Sequence, residues 1–207
     1  LGIMTLIFGG LFYFRDSKIN YPLINFKMFK IKTFTFGNIA VMTSYMCMFT
    51  NGILLPLFLQ EIVKYNAFLT GLLILPYSIA SSAVAPFAGS YAGKNGSRGL
   101  TIAGPCIYIL ALVIFTTFNP STPMWEIVLA SVIMGIGNGC FQSPSNNAII
   151  TCVNKDELGI ASGILSLSRN LGNILGVAVT ITLFDSFRNL LIEEGTKYQT
   201  AFLTSYH

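Results

Sequence analysis

Arg169 is the residue whose type and position point most directly to chemistry. It lies near the middle of an apolar segment at 159–184, and Asn170 and Asn173 follow it on the same predicted helix. A cation at this depth in a bilayer costs at least about 2.5 kcal/mol, so we expect it to face a protein-lined or wet interior. There it could bind an anionic group or pair with an acid that exchanges a proton. A fixed structural pair, or a side chain that reaches the headgroups, is the alternative.

Other polar side chains lie at membrane depth. We predict that three of them line a substrate cavity together with Arg169: Asn51, Gln142 and Asn146. Hydrogen bonds between neighbouring helices are the alternative explanation for such residues. The acidic residues nearest the apolar segments fall at segment ends: Glu61, Glu126 and Asp185. An acid that pairs with Arg169 is therefore expected in a part of the protein outside this sequence.

Catalytic and metal-binding signals are weak. His207 is the single histidine, and no Gly-x-Ser-x-Gly motif occurs. The cysteines are scattered and form no Cys-x-x-Cys pair: Cys47, Cys106, Cys140 and Cys152. We expect neither a zinc site nor a disulfide framework, and we interpret the cysteines as buried small hydrophobic residues. The prediction is no enzyme activity, no cofactor and no metal.

Glycines recur at a spacing of four residues. Stretches at 88–95 and 135–140 resemble nucleotide-binding loops, but each lacks residues that those loops need. Pairs of the form small-x-x-x-small let membrane helices approach closely. Such pairs occur at Gly135/Gly139, Gly159/Gly163 and Gly172/Gly176. Static packing and helix movement in a conformational cycle are both compatible with them.

Five long apolar segments must position these residues. They run at 34–59, 68–92, 100–118, 124–143 and 159–184, and each is close to the roughly 20 residues that cross a hydrocarbon core. The chain is 53% hydrophobic and 10% charged, with a mean hydropathy of +0.68. The sequence therefore predicts an all-α polytopic membrane protein. Prolines are expected to break several spans: Pro56, Pro76, Pro86, Pro105 and Pro144.

Basic residues set the predicted orientation. With 15–33 on the cytoplasmic side, eight of the twelve basic residues lie inside: Arg15, Lys18, Lys27, Lys30, Lys32, Lys94, Arg98 and Lys155. This bias agrees with the positive-inside rule, so the net charge of +4 reflects topology and not nucleic-acid binding. We interpret 1–14 as the end of a truncated helix, 15–33 as a basic cytoplasmic linker and 34–184 as a five-helix bundle. Residues 185–207 would be a polar extracytoplasmic segment before a missing last helix.

The junction between the second and third spans resembles a known loop motif. It reads Pro86-x-x-Gly89, followed by Gly93-Lys94-x-Gly96-x-Arg98, and is similar to the inter-helix loop of the major facilitator superfamily, although Gly93 stands where that family usually has Asp. The resemblance implies an inner gating loop made by Gly89, Lys94, Gly96 and Arg98.

The last span resembles one branch of that superfamily. The sequence from Leu158-Gly-Ile-Ala-Ser-Gly163 through Arg169-Asn-Leu-Gly172 to Gly176 is similar to the penultimate helix of the 14-span drug:proton antiporters, the EmrB/QacA type. The resemblance implies the carboxy-terminal half of a transporter that works by alternating access, with its proton-carrying acids mainly in the amino-terminal half.

These observations lead to one functional expectation and two alternatives. We expect proton-coupled efflux of amphipathic drugs or toxic compounds across a cell membrane, the bacterial plasma membrane. Small-molecule substrates, protons, the lipid bilayer and the amino-terminal half of the same transporter would be the partners. A facilitator-type permease for a nutrient, peptide or siderophore is one alternative. A non-transporting membrane scaffold or sensor is the other.

Overall fold

The computed structural model describes the backbone of residues 26–193 and the side chains of residues 28–186. These residues form five α-helices: α1 (Lys32–Leu57), α2 (Ala67–Asn95), α3 (Arg98–Phe115), α4 (Met124–Thr151) and α5 (Leu158–Glu193). Short 3₁₀ helices at Phe26–Lys30 and Lys155–Glu157 precede α1 and α5, and a π-helix at Phe58–Ile62 continues α1. The predicted helix end at 1–14 lies outside the described residues, as does most of the predicted linker at 15–33. Of the predicted polar segment at 185–207, residues 185–193 continue α5, and the rest lies outside the described residues.

All five helices are long and apolar enough to cross a membrane. Inside a bilayer the backbone has no water to bond with, so a helix, which pairs its own N–H and C=O groups, is the stable form for each segment. Large apolar side chains remain exposed on the outer faces of the bundle, among them Phe36, Phe68, Phe87 and Ile102. Such faces suit lipid contact. The predicted all-α polytopic membrane bundle is confirmed.

The prolines lie inside helices and do not break them. Pro56, Pro76, Pro86, Pro105 and Pro144 all fall within helices of the bundle. The fourth segment, expected to end at 143, continues through the buried Pro144 to Thr151. A proline removes one helical hydrogen bond, and in an apolar medium neighbouring helices and local changes of helix geometry satisfy the backbone groups that it frees. The π-helix that begins two residues after Pro56 is such an adjustment.

Helix α4 is the centre of the bundle. It packs along α2 on one side and α3 on the other, while α5 packs along α1, and α1 meets α4. Two apolar clusters result. One joins the ends of α1, α3 and α4 that the predicted topology places outside and includes Phe58, Phe115 and Ile127. The other lies at the opposite end and includes Phe34, Ile149 and Leu165. Polar side chains occupy the layer between the clusters.

Candidate functional site

Three helices meet at a polar cluster around Arg169. The guanidinium carbon of Arg169 on α5 lies 5.8 Å from the ring centroid of Tyr45 on α1. On α4, the Nε2 of Gln142 donates a hydrogen bond of 2.5 Å to the hydroxyl of Tyr45. Tyr45 thus connects two of the residues predicted for the cavity. A cation over an aromatic face gains about 0.5–2 kcal/mol, more where water is excluded.

Close contact between α5 and α1 holds Arg169 in this position. A Cβ added at Gly172, one turn after Arg169, would overlap the carbonyl oxygen of Met42, and one at Gly176 would lie 2.5 Å from that of Met46. A hydrogen bond also joins α5 to α1, since the Ser168 hydroxyl donates to Asn38 Oδ1 over 3.0 Å. The spacing of the two glycines therefore sets how near the arginine comes to α1.

Arg169 keeps unused hydrogen-bonding capacity. Its Nε is buried and has no hydrogen-bond partner among the described residues. No carboxylate of the described residues forms an ion pair with it. Two further buried amide oxygens have no hydrogen-bond partner among the described residues, those of Asn146, four residues after Gln142 on α4, and Asn173, four residues after Arg169 on α5. Because nine in ten buried polar groups are normally paired, this layer can take up a partner with both donors and acceptors.

Asn51 lies apart from the arginine cluster. It is 7% exposed on α1, and it borders a cavity of about 230 Å³ against α3 and another of about 330 Å³ against α2 and α4. Its Oδ1 has no partner among the described residues. The four predicted cavity residues therefore divide into an arginine cluster, with Asn146 one turn from Gln142 on α4, and a separate position at Asn51.

The residues predicted as an inner gating loop are mostly helical. Gly89 and Lys94 lie within α2, and Arg98 is the first residue of α3. Only Gly96 and Ser97 separate the two helices, so the predicted gating loop consists of two helix ends joined by a two-residue turn. Gly96 ends α2 with a φ of 87°, a conformation that favours glycine. A Cβ at Gly89 would lie 2.6 Å from Ser143 Oγ, which places this end of α2 directly on α4.

The remaining glycine pairs behave differently from one another. Gly135 and Gly139 on α4 lie against the α2 backbone, where added Cβ atoms would contact the carbonyl oxygens of Tyr77 and Ser81, the latter at 2.8 Å. Added Cβ atoms at Gly159 and Gly163 would meet nothing within 4 Å. The Gly159/Gly163 pair is therefore not a helix contact among the described residues.

The cysteines are less buried than the sequence suggested. Cys47 and Cys106 are exposed, and Cys140 and Cys152 are partly buried; all four are free. Small apolar side chains can face lipid as readily as a core, so burial does not follow from their type. Just beyond α4, the Cys152 thiol donates to the carbonyl of Ile149 over 3.1 Å, and burial raises its pKa. The described residues contain no cluster of potential metal ligands.

Several residues of the site were missed by sequence reasoning. Tyr45 is the most important, since it contacts both Arg169 and Gln142. A tyrosine in the middle of an apolar span carries a hydroxyl that needs a partner, and this was a usable signal. Asn38 on α1 could have been found by the same reasoning.

The chain resembles known transporters over most of its length. It is 29% identical over 184 residues to the protein named Riboflavin transporter RibZ of Clostridioides difficile (strain 630), covering 89% of this chain and 40% of the relative. It is 28% identical over 211 residues to Lincomycin resistance protein LmrB of Listeria monocytogenes serovar 1/2a, covering 98% and 45%. The identity to Multidrug resistance protein Stp of Mycobacterium tuberculosis (strain CDC 1551 / Oshkosh) is 27% over 170 residues, covering 82% and 32%.

The chain thus spans less than half the length of these relatives. The sequence profile described as Major Facilitator Superfamily matches residues 2–205, nearly the whole chain. With its bundle of apolar helices, this multi-pass membrane protein belongs to the major facilitator superfamily of transporters.

Proposed function

We propose that this chain is the carboxy-terminal part of a proton-coupled exporter of amphipathic compounds in a bacterial plasma membrane. The observation that carries the proposal is Arg169, a cation at membrane depth that contacts Tyr45 and pairs with no carboxylate of the described residues. Similarity to proteins named for lincomycin and multidrug resistance supports export, and the bacterial relatives support the location. The 14-span EmrB/QacA branch is part of the proposal.

Arg169 would act on the cavity side of the bundle. In an alternating-access cycle, two bundles rock around a central site that opens to one side at a time. An acid in the amino-terminal half would pair with Arg169 in one state and release it in the other, which couples proton movement to substrate movement. Gln142 and Asn146 would hydrogen-bond the substrate from α4. Lys94, Gly96 and Arg98 would close the inner side, where the turn between α2 and α3 lies.

Drug-dependent proton release from energised inverted vesicles tests this proposal. The vesicles carry the full-length protein, and lipophilic cations such as tetraphenylphosphonium are added, with empty vesicles as the control. We expect Arg169→Ala to lower the proton flux about 10- to 100-fold, because charged hydrogen bonds contribute about 1.5–3 kcal/mol. Lys64→Ala is the matched control, since Lys64 is an exposed cation outside the spans that pairs with Glu61 at 3.6 Å. Normal coupled efflux in an inserted Arg169→Ala protein would refute the role of Arg169.

A nutrient permease is the second candidate. The similarity to a protein named Riboflavin transporter favours it. Uptake of riboflavin by right-side-out vesicles, together with no proton release on addition of any of the lipophilic cations, would support the permease in place of the exporter.

A further inference from the structure

The side chain of Tyr45 is held at three points by residues of two neighbouring helices. A Cβ added at Gly172 on α5 would lie 3.0 Å from the Tyr45 Cβ, so the base of the side chain packs directly on that helix. The guanidinium of Arg169, also on α5, lies over the ring. The hydroxyl at the tip accepts the hydrogen bond from Gln142 on α4. The position of the ring therefore depends on both α4 and α5.

Tyr45 is a physical link between Gln142 and Arg169. Helix α5 packs along α1, and α4 packs along α2 and α3, so α1 supplies the side chain that contacts both residues. The attraction between a cation and an aromatic ring requires the cation to lie over the ring face. A ring that turns away therefore loses its hold on Arg169. Because Gly172 blocks the base of the side chain, the hydrogen bond at the hydroxyl is the contact that is free to change.

Gln142 is placed to change that hydrogen bond. Its side chain is partly buried, as are those of Tyr45 and Arg169, so all three residues retain accessible surface. An amide side chain offers two N–H donors and a carbonyl acceptor. A bound compound with hydrogen-bonding groups would compete with Tyr45 for the Gln142 amide or turn the amide toward itself. In either case the Tyr45 hydroxyl loses the donor that fixes its ring.

We propose that Tyr45 is a positioning residue that holds Arg169 against α1 until a substrate binds Gln142, and then releases it. The proposal rests on the transport function above, in which Gln142 binds substrate and Arg169 pairs with an acid of the amino-terminal half. A freed guanidinium beside that acid favours the carboxylate, so the acid gives up its proton to water. Substrate binding on α4 would thus cause proton release through α5. The contact with Tyr45 also accounts for an arginine that pairs with no carboxylate of the described residues.

Phenylglyoxal, which reacts with arginine guanidinium groups, reports whether Arg169 is held or released. The purified full-length protein is treated with this reagent, and modification of Arg169 is followed by mass spectrometry, with the exposed Arg98 as the internal reference. The probes are ethidium, a lipophilic cation with two amino groups, and riboflavin, which carries several hydrogen-bonding groups. We expect a probe that binds to raise the modification rate of Arg169 about 3- to 10-fold, the effect of one hydrogen bond.

Four variants separate this role from simple packing. Tyr45→Phe keeps the ring but removes the hydroxyl, so the rate at Arg169 should no longer respond to the probe. Gln142→Ala should abolish the response in the same way, and Tyr45→Phe should add nothing to it. Tyr45→Leu removes the ring and should raise the rate about 2- to 5-fold without a probe. Tyr108→Phe is the matched control and should respond like the wild type, because the Tyr108 hydroxyl has no hydrogen-bond partner among the described residues.

Three results would overturn the role of Tyr45. They are a rate at Arg169 that neither probe raises in the wild type, a rate that a probe lowers by shielding the guanidinium, and a full response in Tyr45→Phe. Proton release driven by the same probes is measured separately in inverted vesicles. Proton release without a change at Arg169 would refute the role of Tyr45 alone. A change at Arg169 without proton release would refute proton-coupled export and support the release of Arg169.

Discussion

Replacement of Gly176 by alanine should force α5 away from α1. The new Cβ would lie 2.5 Å from the carbonyl oxygen of Met46 and 3.0 Å from its Cα. Both are backbone atoms, so no side chain can rotate out of the way. Ordinary contact begins at 3.4 Å, and the helices must therefore separate by about 0.9 Å. Overpacking of this kind costs about 1–3 kcal/mol.

Gly163→Ala is the matched control on the same helix. Its Cβ would meet nothing within 4 Å, so the substitution changes only helix propensity. Alanine is about 1 kcal/mol more favourable than glycine in a helix, and both variants receive this gain. The difference between the two variants isolates the contact with α1, and we expect Gly176→Ala to be less stable by about 1–3 kcal/mol.

Thermal unfolding of the two purified variants measures this difference. A gap of about 2–4 °C is expected for each kcal/mol in a domain of this size. The separation should also weaken the contact between Arg169 and Tyr45, so coupled transport should fall in Gly176→Ala and persist in Gly163→Ala. Equal melting temperatures for the two variants would show that the glycine does not set the distance between α1 and α5.

Two further predictions concern the helix ends near Gly96 and Cys152. Gly96→Ala should destabilise the protein by about 1–3 kcal/mol because the φ of 87° and ψ of 153° at this position suit only glycine. Gly99 is helical and an added Cβ would meet nothing within 4 Å, so Gly99→Ala should not destabilise the protein. Similar denaturation midpoints for the two variants would contradict the prediction. Burial raises the pKa of Cys152, so less thiolate is present at neutral pH and maleimide should label this residue more slowly than a free thiol. The difference in labelling rate should disappear as the pH rises above the Cys152 pKa. Labelling of Cys152 at the rate of a free thiol at pH 7 would contradict the raised pKa.

The helical structure and the membrane-spanning character of the chain could be predicted from the sequence. Apolar segments of spanning length with few charges leave the backbone no stable form in lipid other than a helix. The main error was the prediction that the prolines break the helices, because that rule describes helices in water-soluble proteins. In the bundle, Pro144 is buried inside α4, and Pro56 is followed by a π-helix. The bounds of α4 could therefore not be predicted from proline positions.

The candidate site was only partly predictable. Arg169 could be identified because a charge in an apolar span is costly and needs a reason. Gln142 was named as well, but its hydrogen bond to Tyr45 could not be anticipated, since the two residues are separated by 97 positions in the sequence. Asn51 was grouped with Arg169, whereas it borders cavities on other sides of α1.

The sequence by itself determined which segments enter the membrane, which residues are out of place in an apolar medium and which family the chain resembles. Only the tertiary structure decided which of those residues meet. The physical reason is that lipid is as apolar as the helices, so hydrophobic periodicity does not show which face of a helix turns toward which neighbour. The orientation of each helix toward its neighbours is set instead by close contacts, such as those of Gly172 and Gly176 with the α1 carbonyls. These contacts bring Arg169 against Tyr45.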